Sequence, residues 1–158
     1  YGDHRDLRSF PTRRSSDLHP VVQEIRRQFP DQVRVVLRYT VFHQGSDEAV
    51  RILETARMQD KFEPVLDALL ERQPLWAVHG MPRLDVAWQV AGAGGLDLNR
   101  AESDRLFPGI TGILNQDMAD VEALGVRQTP TFFLNGARLE TLSAESLVAD
   151  VRSAVESA

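Results

Sequence analysis

Thiol chemistry is closed to this chain. Its 158 residues include no cysteine, which removes disulfides, thiolate metal sites and a cysteine nucleophile together. Imidazole chemistry has three interior candidates, His19, His43 and His79, and no two of them have metal-ligand spacing such as H-x3-H. His79, in Val-His-Gly-Met-Pro, reads as a loop or helix-entry residue. Asp117, Asp120 and Glu122 are spaced for a solvated helix face rather than for a catalytic carboxylate pair. Ala91-Gly92-Ala93-Gly94-Gly95 has neither a preceding strand nor the Gly-Lys-Ser/Thr ending of a phosphate loop, so it reads as a helix terminator. No Gly-x-Ser-x-Gly elbow is present. No metal and no cofactor are expected.

What stands out instead is a backbone motif, Gly125–Glu140, GVRQTPTFFLNGARLE. Thr131–Leu134 is β-branched and aromatic, hence a strand. Asn135-Gly136 supplies two residues that tolerate positive φ, as a two-residue hairpin turn requires, and Ala137–Glu140 returns as the antiparallel partner. Pro130 has no N–H to give a ladder and belongs at or just before the strand's first position. Thr129 ahead of it is pushed towards extended geometry. On residues alone, Thr129-Pro130 opens a hairpin.

The elements around this motif follow from periodicity. In His19–Phe29, Val21, Val22, Ile25 and Phe29 share one helical face, and Pro20 sits near the start. Val33–Tyr39 is β-branched and continuous enough for a buried strand, with Arg34 and Arg38 on its less buried side. A helical block follows. Ser46–Gln59 opens on Ser46, Asp47 and Glu48, suited to a cap and the positive helix end. Phe62, Val65, Leu66, Leu69 and Leu70 form the strongest amphipathic pattern present. Pro82–Ala91 is a third helix, and Asp97 caps a short fourth ending at Leu106. Trp76 and Trp88 in this block read as core or groove wall. Ile110–Leu124 carries Ile110, Ile113, Leu114, Met118, Val121 and Leu124 inward. Ser143 caps a last helix with Leu147, Val148, Val151 and Val155 buried.

Composition sets outer limits. At 42% hydrophobic and 26% charged, the chain is one globular domain. A formal charge of −5 argues against a nucleic-acid footprint. No apolar run approaches the roughly eighteen residues of a membrane span.

The Gly-Val-x-x-Thr-Pro segment and its hairpin resemble the cis-proline loop of thioredoxin-fold proteins, especially the bacterial DsbA-like thiol–disulfide oxidoreductases. The element order, helix, strand, several helices, hairpin, helix, is similar to that family's over His19–Ala158. The resemblance implies an α/β thioredoxin-like fold with a helical insertion at about 46–107. It implies a cis Pro130 facing a dithiol, and a loop of Gln128, Thr129 and Pro130 that holds an extended polypeptide substrate, with Arg127 beside it. His43 and His19 would lie towards the dithiol. Substrates would be polypeptides with cysteines or disulfides, a redox partner protein would complete the cycle, and the compartment would be periplasmic or otherwise extracytoplasmic.

Tyr1–Leu18 resembles something else: the one-frame translation of a short-read sequencing adapter, matching except at Arg8, where the oligonucleotide encodes His. The expectation is a foreign segment 1–18 joined to a truncated domain 19–158. Family spacing then puts the lost Cys-x-x-Cys where Thr12 and Ser15 stand, and neither hydroxyl replaces a thiol. The catalytic set of this chain is therefore none. The lost first strand would lie between Val33–Tyr39 and the hairpin, leaving both inner edges open and the polypeptide marginal. Two other readings stay open: a redox-inactive thioredoxin-fold module that binds peptides or proteins, and a kappa-type glutathione transferase or isomerase.

Overall fold

A computed structural model describes residues 13–157, with side chains from residue 17 onward. Eight helices and one hairpin follow in order: α1 Arg13–Gln28, α2 Ser46–Met58, α3 Phe62–Glu71, α4 Gln73–Trp76, α5 Leu84–Ala93, α6 Leu98–Asp104, α7 Pro108–Ala123, β1 Phe133–Leu134, β2 Ala137–Arg138 and α8 Ala144–Glu156. The described residues are mostly helical with a small two-stranded sheet, and a block of helices, α2 to α6, stands between α1 and α7.

Burial divides the interior in two. The larger core is built on α2, α3 and α5, where Ile52, Leu53, Val65, Leu69 and Ala87 are completely enclosed, and α7 adds Ile110 and Leu114. Each such aliphatic side chain contributes about 1.5–3 kcal/mol by leaving water. Trp76 belongs to this core and donates its indole N–H to the Leu69 carbonyl at 2.9 Å. Trp88 forms part of its wall and donates to Glu48 at 2.8 Å. The smaller core joins α1 to α8 through Ile25, Leu147 and Val151, and receives Phe132 and Leu134 from the hairpin.

Local signals account for most boundaries. Asp97 accepts the amides of Asn99 and Arg100 at 3.0 and 3.1 Å, and Ser143 and Ser146 close a capping box on α8. Asn135 at φ 49° and Gly136 at φ 84° make the hairpin turn, with Phe133 opposite Arg138 and Leu134 opposite Ala137. Ser46 differs from expectation. It is the first helical residue, and Gly45 holds the cap position at φ 84° because a Cβ there would sit 2.8 Å from Pro82 Cγ.

Three further differences bear on the site. The α1 helix begins at Arg13, upstream of His19, with Pro20 in its interior and Leu18 buried. The helix expected over His19–Phe29 thus starts six residues earlier, inside the segment read as foreign; residues 1–12 of that segment, Thr12 included, lie outside the described residues. Ile113 and Leu124 are exposed, at 38% and 57%, because the inward stripe of α7 runs Ile110, Leu114, Asp117, Val121.

The largest difference is at Val33–Tyr39, where no strand forms. From residue 34 to 42 the backbone makes no hydrogen bond to any described backbone group. A strand exists only as one side of a ladder, and no neighbour stands beside this one among the described residues. Val35, Val36 and Leu37 are left 45%, 60% and 42% exposed. The segment is anchored by side chains instead. Asp117, only 2% exposed, accepts the Tyr39 amide at 2.8 Å and Arg38 Nη1 at 2.9 Å. The solvated acidic face expected for α7 is thus corrected at Asp117, which points inward.

Asp117→Ala should destabilise the fold by about 2–3 kcal/mol, since it strands a buried amide. Asp117→Asn, which keeps an acceptor oxygen, should cost less. Urea denaturation followed by far-UV circular dichroism measures both.

Candidate functional site

The loop between α7 and β1 is held at both ends. Gly125, at φ 61°, turns the chain out of α7, and the amide of Val126 caps it by bonding the Val121 carbonyl at 2.9 Å. Val126 itself is 7% exposed, so the loop starts from a buried peg. At the far end Leu139 donates to the Phe132 carbonyl at 2.9 Å, extending the hairpin by one bond beyond β1 and β2. Between these anchors lie Gln128, exposed, and Thr129 and Pro130, half-buried. The Thr129–Pro130 peptide bond is cis. Thr131 Oγ1 donates to the Gln128 carbonyl at 2.7 Å, closing the turn. Arg127 is exposed beside it.

These groups are a short run of backbone with no nucleophile or ligating side chain among them. Such a loop can present carbonyls and amides to an extended chain, and proline withholds one amide from competitors. Ser15 falls within α1, where only the backbone is described, and Thr12 falls outside the description.

The histidines do not join this loop. His19 lies on α1, 2.6 Å from Asp67 of α3, and Gln23 Nε2 is 3.4 Å from its ring. Beside it Arg26 reaches Glu63 at 2.7 Å and Gln23 reaches the same carboxylate at 3.2 Å. The polar cluster docks α1 on α3. His43 is exposed and its carbonyl accepts the Ser46 amide at 3.1 Å. His79 is exposed between α4 and α5. Among the described residues no three His, Asp or Glu side chains are grouped to hold a metal. A groove of about 840 Å³ between the end of α1 and α3 is lined by residues such as Arg27, Arg34 and Glu63 and by none of 127–131.

Sequence reasoning missed one buried network. Tyr39 donates its hydroxyl to Glu54 at 2.6 Å, Arg57 Nε reaches the same oxygen at 3.1 Å, and the Arg57 guanidinium stacks 4.0 Å over Phe62. Tyr39 and Glu54 are 4% and 5% exposed. Burial first, and the neighbouring Glu54 carboxylate second, push the Tyr39 phenol far above its ordinary value. Burial disfavours charge on Arg57, but bonds to Tyr39 and Glu54 outweigh it and hold the guanidinium's pKa up. Glu54 lies on the inner face of α2 beside Leu53, and that position was the one available signal.

The family can now be stated. The sequence model of the Thioredoxin family (Thioredoxin_4) matches residues 16–152. The chain belongs to the thioredoxin family. A crystal structure of a thioredoxin-like oxidoreductase from Silicibacter pomeroyi DSS-3 superposes with a TM-score of 0.78 at 26% identity, over 96% of this chain and 84% of that one. The Na(+)/H(+) antiporter NhaA of Herminiimonas arsenicoxydans is 34% identical over 116 residues, which is 73% of this thioredoxin-family chain but 18% of the antiporter. The chain therefore spans under a fifth of that curated relative. No described helix is long and apolar enough to cross a membrane.

Two expectations follow from the charges. Tyr39→Phe should cost roughly 1.5–3 kcal/mol, the scale of a hydrogen bond to a charged group. Because the folded phenol titrates higher than the unfolded one, its contribution is complete below the unfolded value of about 10 and declines as pH rises further. The variant should lose that alkaline decline in stability-against-pH curves. Glu63 behaves oppositely. Partial burial raises its pKa, but bonds from Arg26 and Gln23 dominate and lower it. Its contribution is present above the unfolded carboxylate's pKa and fades as pH falls through the folded one. The pair is about half exposed, so Glu63→Gln should cost only about 0.2–1 kcal/mol at neutral pH and flatten the acid limb of the melting curve.

Proposed function

We propose that this chain is the polypeptide-holding part of a DsbA-like thiol–disulfide oxidoreductase, separated from its dithiol. The observation that carries the reading is the shared small core under the Thr129–Pro130 hairpin. Phe132 and Leu134 pack against the cluster that Ile25 of α1 forms with Leu147 and Val151 of α8, so the loop shares a core with the helix that in this family bears the cysteines. In the parent, the first cysteine would sit as a thiolate at that helix's N-terminus, where unpaired amides and the helix dipole lower its pKa. It would attack a substrate disulfide, and the second cysteine would resolve the mixed disulfide, releasing the reduced substrate thiols and leaving the enzyme oxidised. Gln128, Thr129 and Pro130 would hold the substrate chain in register by backbone pairing.

On this reading residues 1–18 are adapter-derived, residues 19–158 are the truncated domain, and the lost cysteines correspond to positions 12 and 15. That no described residue pairs with Val33–Tyr39 is consistent with a displaced strand. The parent would act in the periplasm or an equivalent extracytoplasmic space. A second reading draws on the antiporter resemblance: the parent domain would be a module attached to an ion-transport protein, serving as a peptide-binding or redox appendage. The authentic gene bases upstream of the His19 codon separate these readings. Cys-x-x-Cys supports the oxidoreductase, its absence supports a redox-inactive binding module, and a lone serine supports a kappa-type glutathione enzyme. Membrane-spanning helices in the same gene support the appendage.

The chain as written should reduce insulin at the uncatalysed rate, and the gene-restored parent should accelerate it. In that parent, Thr129→Arg should lower kcat/KM for polypeptide disulfides by about tenfold or more, the equivalent of about 1.4 kcal/mol of positioning. Its rate with a small aromatic disulfide should hold. Equal losses on both substrates would reject a docking role for this loop.

A further inference from the structure

The two halves of α7 are held by different means. The first half is seated by Ile110 and Leu114, which join the larger core, and by Arg51 of α2, whose Nη2 reaches Thr111 Oγ1 at 3.3 Å. Among the described residues that core extends no further along α7 than Leu114. Beyond it the helix is tied by polar bonds. Asp117 Oδ2 accepts the Tyr39 amide at 2.8 Å, Asp117 Oδ1 accepts from Arg38 Nη1 at 2.9 Å, and Met118 Sδ accepts the Val41 amide at 3.2 Å. All three donors come from one short segment, so they set the rotation and the axial position of this half together.

The Thr129–Pro130 loop starts from that half. Asp117 stands one turn before Val121, whose carbonyl accepts the Val126 amide at 2.9 Å. Val121 and Val126 are both buried. From Val126 the chain must reach Phe132, which packs separately against the core of α1 and α8. The turn between is closed by Thr131 Oγ1 on the Gln128 carbonyl at 2.7 Å. The loop thus spans two bodies, and its shape follows from where α7 ends.

We infer that Asp117 is a positioning residue for this loop, holding the end of α7 where Gln128, Thr129 and Pro130 can meet an extended polypeptide. The inference rests on the reading of the loop as a polypeptide-holding site and adds the device that sets its geometry. A carboxylate is costly in an inward stripe that otherwise reads Ile110, Leu114 and Val121, because a buried charge loses its hydration. A leucine there would serve packing. What the carboxylate adds is direction, since its two oxygens are engaged at once by a backbone amide and a guanidinium. Fixing register is the best-attested use of a buried ionic group.

Hydrogen exchange in the chain as it stands tests the placement. Asp117→Asn keeps one acceptor oxygen and loses the charge that holds Arg38. It should speed exchange of the Val126 amide about tenfold or more relative to the amide of Leu69, a fully enclosed residue whose exchange reports global opening. Asp120→Asn removes a carboxylate 3.8 Å from Arg38 and should leave that ratio unchanged. Equal acceleration of both amides in Asp117→Asn means general destabilisation only and overturns the inference. In the gene-restored parent, Asp117→Asn should raise KM for a polypeptide disulfide at least about fivefold, the low end of coupling between separated sites, with kcat retained. A loss shared equally by a small aromatic disulfide also overturns it. A parent with no insulin activity rejects the redox reading alone, and the exchange ratio still decides whether Asp117 sets the loop.

Discussion

A buried amide must have an acceptor, and at Tyr39 that requirement fixes the position of a helix. With no strand beside residues 33–42 among the described residues, the Asp117 carboxylate accepts the Tyr39 amide and binds Arg38 in the same stroke. Everything downstream inherits the result. Tyr39, thus seated, sends its hydroxyl to Glu54 on α2. Asp117, thus engaged, sets the rotation of α7 about its axis, and α7 ends at Gly125 and the buried peg Val126 from which the Thr129–Pro130 loop departs. One carboxylate couples the segment leaving α1 to the loop that enters the hairpin.

Much of this was legible, and the reasons differ by element. The insertion helices were readable because Val65, Leu66, Leu69 and Leu70 repeat at helical intervals whatever surrounds them. The hairpin was readable because Asn135-Gly136 fixes a turn by backbone conformation alone. Thr129-Pro130 was identified by its place before that turn. Val33–Tyr39 failed for an instructive reason. Its composition suits a strand, but strandedness is a relation between two segments, and composition says nothing about whether the second is there. Asp117 failed because its charge was given more weight than its position, although Ile110, Leu114, Asp117 and Val121 fall on one stripe. The Tyr39–Glu54–Arg57 network joins residues that no sequence interval relates. The first turns of α1 were left out because Tyr1–Leu18 was read as foreign sequence, although Arg13–Leu18 is continuous with the helix that follows.

The chain belongs to the thioredoxin family and contains no cysteine. Here Gln128, Thr129 and Pro130 are shaped by Val126, Thr131 and the hairpin, none of which requires a thiol nearby. The histidines are likewise accounted for without catalysis, His19 by Asp67 and His43 by the chain turn into α2.

The divided interior sets an order of endurance. The enclosed aliphatics of α2, α3 and α5 answer chiefly to one another, while the hairpin rests on the three fully buried residues that α1 and α8 supply. Thermal fluctuation will loosen the smaller body first. The Thr129–Pro130 loop is thereby mounted on the part most ready to give way, and the helical body remains as a rigid footing beneath it.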